Sequence, residues 1–247
     1  MGNFAAIVFS LFFIFAMTVS GALAACFVPE KKYSDWLPYL NGLSGGIMIA
    51  ASVWSLVLPA LESAGEYAAL KTGAGIAAGG LFILIVGLVF PENEDAAFNR
   101  LFLAMTAHNI PEGIAVGFAL GSGMVMTGSA LSGVSVAIGI GLQNFPEGAA
   151  VSLPLRREGC SRRKSFFIGQ ASGFVEPIAG VLGALLAVYI EAVLPFALSF
   201  AAGAMILVAV HELIPECQRN QKAQPYAATM GIVTGFALMM LLDVMLG

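Results

Sequence analysis

The chain is poor in charge, histidine and cysteine. Of its 247 residues, 11% are Asp, Glu, Lys or Arg, two are His and three are Cys. So little charge excludes an ordinary soluble domain. With 59% hydrophobic residues and a mean hydropathy of +0.90, a chain of this length cannot hide its apolar surface from water. The cysteines, Cys26, Cys160 and Cys217, are too scattered for a CxxC metal site and suggest no disulfide framework. There is no Gly-rich phosphate loop, which argues against ATP-driven pumping by this chain alone, and nothing points to nucleic acid. The net charge of −4 says little about partners.

What is there is apolar sequence in long runs. A spanning helix needs roughly 20 apolar residues. With Gly, Pro and charge clusters as punctuation, eight such helices are expected, at about 4–26, 40–61, 72–90, 98–121, 128–154, 165–188, 192–216 and 225–246. They leave no room for a second domain, so residues 1–247 read as one all-α, polytopic membrane unit with the lipid bilayer as its solvent. Ten of the 11 basic residues fall after helices one, three, five and seven; only Lys71 lies on the other side. Basic loops stay cytoplasmic, so both termini are expected outside. Leu23-Ala24-Ala25-Cys26 has the look of a lipoprotein signal box. However, no basic residue precedes the apolar run, and cleavage would put Lys31 and Lys32 near an outer terminus, so helix one is kept as a span.

Two polar stretches interrupt this apolar background 35 residues apart: His108-Asn109-Ile110-Pro111-Glu112-Gly113 and Gln143-Asn144-Phe145-Pro146-Glu147-Gly148. A carboxylate at bilayer depth is expensive, and helix packing alone is usually done with small and hydroxylic residues. Two carboxylates in matching frames therefore point to a shared polar site. His108 and Glu112 are four apart and stack on one helix face, with Asn109 about 100° round. Pro111 lacks an N–H, which frees a carbonyl near Ala107 and kinks the helix. Gly113 admits a neighbouring helix. A third mid-helix carboxylate, Glu176, precedes Pro177 in helix six.

If these faces meet, they supply one imidazole, three carboxylates and three amide oxygens. Clustered carboxylates repel one another and call for positive charge among them. Imidazole beside carboxylate and amide suits Zn²⁺, Fe²⁺, Mn²⁺ or Co²⁺ better than Ca²⁺ or Mg²⁺. A permanent structural zinc more often takes four Cys and His ligands, so an oxygen-rich site with one nearby His favours exchangeable metal.

A weaker repeat links helix two to helix seven. Gly46-Ile47-Met48-Ile49 has Pro59 thirteen residues after the glycine; Gly203-Ala204-Met205-Ile206 has Pro215 at twelve. Helices one to three and six to eight would then be inverted repeats around the antiparallel pair four and five, a recurring transporter plan.

On these residues the chain resembles the ZIP family of divalent metal transporters (Zrt/Irt-like proteins), in particular its bacterial ZupT/GufA-like branch. The resemblance runs over essentially the whole chain and implies a 3+2+3 bundle with its metal site between helices four and five. It implies helix-four ligands His108, Asn109 and Glu112, and helix-five ligands Gln143, Asn144 and Glu147. It further implies a second-metal ligand at Glu176 and a thioether position at Met48. Two departures matter: many members have His where Gln143 stands, and some have Asp where Asn144 stands. Both changes remove imidazole or negative charge, which should weaken binding and relax selectivity. The long His-rich loop common between helices three and four is only Pro91–Ala97 here. Glu62 and Asp243 resemble positions that attract cations at the outer mouth, and His211, Glu212 and Glu216 resemble exit-pathway residues.

The expected function is a carrier that brings divalent transition metal, zinc foremost with Fe²⁺, Mn²⁺, Co²⁺ and Cd²⁺ as alternatives, into the cytoplasm. It needs no resident cofactor and acts in a bacterial inner membrane. Its partners are metal ions and the bilayer, and the reading allows a homodimer. A membrane metal sensor or structural metal-binding protein is the rival. An intramembrane metallohydrolase, prompted by His211-Glu212, lacks the second His of H-E-x-x-H because position 215 is Pro, so no enzyme is expected.

Overall fold

In lipid a backbone must satisfy its own N–H and C=O groups, so long apolar runs fold as helices. The computed structural model describes residues 2–27, 30–89, 97–157, 159–189, 194–218 and 226–246; some side chains within the helices, those of His108, Glu212 and Glu216 among them, lie outside the description. Among the described residues there is no strand, and eight helical columns follow one another. They are α1 (Asn3–Phe27), α2 (30–63), α3 (Ala68–Val89), α4 (Ala97–Thr127), α5 (Val134–Arg157), α6 (162–189), α7 (194–218) and α8 (Ala227–Leu246). Among the described residues, five of them (α1, α2, α3, α6 and α8) are long and apolar enough to cross a membrane. Helix α7, again among the described residues, offers a shorter apolar stretch, Pro195–His211. The chain is an all-α, multi-pass integral membrane protein.

Three boundaries differ from expectation by six residues or more, one of them the end of helix four, at Thr127 rather than 121. Helix two starts at Glu30 rather than near 40 and runs through Pro38. Its first residues include Glu30, Lys31, Lys32 and Asp35; such a run bars lipid burial, not helicity. Helix five starts at Val134 rather than 128 because α4 is closed by a glycine cap. Gly128 has a φ of 72°, its N–H bonds to the Met124 carbonyl, and the Ser129 N–H reaches back to Gly123. A 3₁₀ turn at Ala130–Gly133 then leads into α5, and the Asn3 side chain clasps this turn through Gly128 O and Ala130 N.

Four close pairs build the bundle: α1 with α5, α4 with α6, α2 with α8 and α3 with α7. Each is made at glycine, because without water between them helices associate by close backbone packing. A Cβ added at Gly148 would overlap the Thr18 carbonyl of α1, and at Gly113 the Glu176 carbonyl of α6. At Gly46 it would overlap the Ile232 carbonyl of α8, and at Gly79 the Phe200 carbonyl of α7. Contact partners advance in step, Gly113 with Glu176 and Gly117 with Gly180, so the pairs are parallel. By contrast α4 and α5, joined by the short turn, are antiparallel.

This packing has the expected repeat. Exchanging one with six, two with seven, three with eight and four with five sends each close pair onto another. Helices α2 and α7 also share an irregularity, a π-helical turn at Ser52–Val57 and at Ala209–Leu213. Each begins six residues after the repeat glycine and ends two residues before the proline. The first turn has six residues and the second five, which absorbs the one-residue difference in glycine-to-proline spacing.

Candidate metal site

Glu112, Glu147 and Glu176 lie near the middle of α4, α5 and α6, and all three side chains are buried; Glu112 and Glu176 are 0% exposed. Pro111 and Pro146 sit inside unbroken helix, so the carbonyls of Ala107 and Leu142 lack their usual donors. Gly113 and Gly148, each next to its glutamate, let α6 and α1 close on the motifs from either side.

Side-chain amides tie the helices together. Gln143 Nε2 donates to Glu112 Oε1 at 2.6 Å, joining α5 to α4. Asn144 Nδ2 donates to the Ile14 carbonyl of α1 at 3.2 Å and to Glu176 Oε2 of α6. Asn109 Nδ2 donates to the Ser172 carbonyl of α6 at 2.8 Å. The Ser172 and Ile14 carbonyls can only accept, so the amides of Asn109 and Asn144 cannot be turned round. Glu112 lies within electrostatic reach of both Glu147 and Glu176. Among the described residues no three His, Cys, Asp or Glu side chains stand together as a metal-holding group. The carboxylates meet amides instead.

The amide orientation has a consequence for the oxygens. Asn109 Oδ1, Gln143 Oε1, Asn144 Oδ1 and Glu112 Oε2 are buried and have no hydrogen-bond donor among the described residues. An unsatisfied buried polar atom costs roughly 1–3 kcal/mol. Four of them from two matched motifs, all acceptors, make a set that a cation satisfies and a neutral apolar ligand does not. His108 stands one turn before Glu112 on α4; its side chain lies outside the described residues.

The remaining candidates fall in three places. Met48 is fully buried in the apolar core, one turn beyond Ser44, whose hydroxyl donates to the Gln143 carbonyl at 3.2 Å. Asp243 is half-buried and joins three helices: it accepts from Ser55 of α2 at 2.7 Å and from Ser135 of α5 at 3.4 Å. Glu62 is exposed at the end of α2. His211 is exposed within the π turn of α7, and the side chains of Glu212 and Glu216 lie outside the described residues.

Sequence reading missed Thr18, Ser44, Ser55 and Ser135. Thr18 lies deep in α1 and its hydroxyl stands 3.5 Å from Glu176 Oε1. A hydroxyl in an apolar helix satisfies itself on its own backbone, as Thr18 also does with the Ile14 carbonyl at 3.4 Å, so its spacing carries no signal.

A multi-pass helical membrane protein with an acceptor-lined polar centre between antiparallel helices is thus defined by fold and chemistry. The family profile described as ZIP zinc transporter matches residues 91–243. "Zinc transporter ZIP11" of Homo sapiens is 34% identical over 96% of this chain and 96% of its own length. "Zinc transporter GufA" of Myxococcus xanthus is 38% identical over 83% of the chain and 85% of its own. "Zinc transporter ZIPB" of Bordetella bronchiseptica is 36% identical, covering 94% and 79%. The chain belongs to the ZIP zinc transporter family.

Proposed function

We propose that this protein carries divalent transition metal, zinc foremost, across a bacterial inner membrane into the cytoplasm, through a site between α4 and α5. The observation that carries this reading is the set of four buried, donor-less acceptor oxygens on Asn109, Glu112, Gln143 and Asn144. Relatives named zinc transporters over nearly the whole chain supply the substrate class. His108 adds an imidazole from the turn before Glu112, and Glu147 adds a second carboxylate from α5. Such a mixed shell holds zinc while leaving it exchangeable. The basic loops face the cytoplasm and both termini face outward. Asp243 and Glu62 then stand at the outer end, and the His211–Glu216 segment lines the way out.

The test is Zn²⁺ uptake into liposomes by the purified full chain, beside Glu112→Ala and His108→Ala. Uptake by the parent that falls at least about 100-fold in both variants supports the reading, since each removes a metal ligand, a carboxylate or an imidazole, from a low-dielectric site and leaves the cation short of a partner. Tight zinc binding without passage under any imposed gradient would overturn it in favour of a sensor.

A further inference from the structure

The two carboxylates most deeply buried in the site are not equivalent. Glu112 receives one hydrogen bond, from Gln143, and keeps Oε2 without a donor. Glu176 has Oε2 engaged by Asn144 Nδ2, while Oε1 shares the single Thr18 hydroxyl hydrogen, at 3.5 Å, with the Ile14 carbonyl at 3.4 Å. Both hydrogens of the Asn144 amide are used, one on Glu176 and one on the Ile14 carbonyl, while its Oδ1 is left without a donor. The positive end of the amide dipole therefore stands against Glu176, where a cation would otherwise be needed.

Resting on the metal-site reading above, we propose that Glu176 is a positioning residue rather than a metal ligand, and that the site holds one divalent cation, not two. Glu176 and Thr18 fix the Asn144 side chain so that its carbonyl oxygen turns toward the ion held by Glu112 and its neighbours. The amide N–H of Asn144 takes the part that a second cation would play against the Glu176 carboxylate. The chemistry of position 144 then sets the stoichiometry. A carboxylate there would replace the donor with a negative oxygen against Glu176, and only a further cation between the two would relieve the repulsion.

The experiment is a Zn²⁺ titration of the purified full chain in detergent, with bound metal counted by elemental analysis after gel filtration. One Zn²⁺ per chain is expected. Glu176→Gln should keep that one ion and weaken its binding by about 10-fold, the scale of losing a group that orients a ligand. Thr18→Val should loosen it less, with Thr18→Ser restoring the parent value. Asn144→Asp should raise the count to two. Two ions in the parent, loss of an ion from the Glu176→Gln chain, or a count that stays at one in a folded Asn144→Asp chain would each overturn the proposal. A parent that binds no Zn²⁺ at all would instead overturn the metal-site reading beneath it. Because Asn144→Asp tests a gain, a poorly folding Glu176→Gln chain does not leave the question open.

Discussion

The helices α1, α4, α5 and α6 and the helices α2, α3, α7 and α8 are built by one device and filled differently. Each quartet consists of two parallel pairs closed at glycine. Inside the first, amides of α4 and α5 meet carboxylates and backbone carbonyls of neighbouring helices, set among apolar residues such as Ile14 and Phe118. Helix α2 turns apolar side chains inward, with Ile47 and Met48 at 0% exposure, and α7 does the same with Leu198 and Met205 at 1%. Among the described residues only the second quartet carries π turns. Backbone proximity is thus supplied by glycine in both halves. The polar residues of the first half are surplus to that task, and their burial has to be explained by something other than packing.

The glycine contacts give the largest expected effects and should not distinguish the halves. Gly113→Leu in the first quartet and Gly79→Leu in the second both drive a side chain into the backbone of a neighbouring helix. Backbone cannot yield as a side-chain tip can, so each should cost more than about 3 kcal/mol, at or beyond the upper end for overpacking. Gly87→Leu on α3, where a Cβ meets nothing within 4 Å, should leave the melting temperature of the detergent-solubilised chain unchanged. Equal losses for the first two beside an unaffected third would confirm glycine as the common device.

The contents of the halves should separate in the next comparison. Replacing buried Met205 by Ala removes packing and should cost about 2–5 kcal/mol in stability. Replacing Glu112 by Leu removes a buried carboxyl group that lacks a full set of partners but leaves Gln143 Nε2 without its acceptor, and with the two effects opposed stability should change by no more than about 1 kcal/mol. Zinc uptake should nevertheless vanish. A Glu112→Leu chain destabilised as much as Met205→Ala would make the polar network structural and remove the contrast.

How far this contrast could be seen in the sequence depended on chemistry that stands out against an apolar background. Glu112, Glu147 and Glu176 are conspicuous because nothing else in their runs is acidic, and the matched frames of the two motifs pair α4 with α5 from the sequence alone. The 3.6-residue period put His108 and Glu112 on one face without saying which oxygens would be left without donors; that required the acceptors Ser172 O and Ile14 O, which are backbone and carry no residue signature. Thr18, Ser44, Ser55 and Ser135 were invisible for the same reason, being ordinary residues of membrane helices. Helix two is longer than its apolar run because Lys31 and Lys32 mark the end of lipid and not the end of helix. The π turns were not foreseen, although Pro59 and Pro215 marked their positions.

The halves meet at Asp243, which bonds to Ser55 of α2 within its own quartet and to Ser135 of α5 across the seam. The Ser55 contact is the shorter, 2.7 Å against 3.4 Å, so Ser55→Ala should cost about 1.5 kcal/mol, the low end for a hydrogen bond to a charged group, and Ser135→Ala only about 0.5 kcal/mol, the low end for any hydrogen bond. A double-mutant cycle with Asp243→Asn in thermal unfolding would show whether the coupling is stronger within the quartet than across it. Stronger coupling across the seam would mean that the halves are latched together at that end rather than merely apposed.

The smallest effect concerns what makes the π turns. Ser52 opens the turn in α2, and its hydroxyl bonds back to the Met48 carbonyl at 2.7 Å, a contact known to bend helices, so serine could be its cause. The repeat argues otherwise. Aligned on Gly46 and Gly203, Ser52 corresponds to Ala209, and α7 makes its π turn with no hydroxyl there. What the two segments share is a proline two residues beyond the turn, which has no N–H to give and whose ring presses on the preceding turn. Widening that turn by one residue per hydrogen-bonded ring relieves both. Ser52→Ala should therefore shift stability by no more than about 0.5 kcal/mol and leave the turn in place, as hydrogen exchange along α2 would register. Pro59→Ala should regularise α2 and slow exchange around Ser55. If the serine change alone regularises the helix, the two π turns have separate origins and the likeness of α2 to α7 ends at their glycines and methionines.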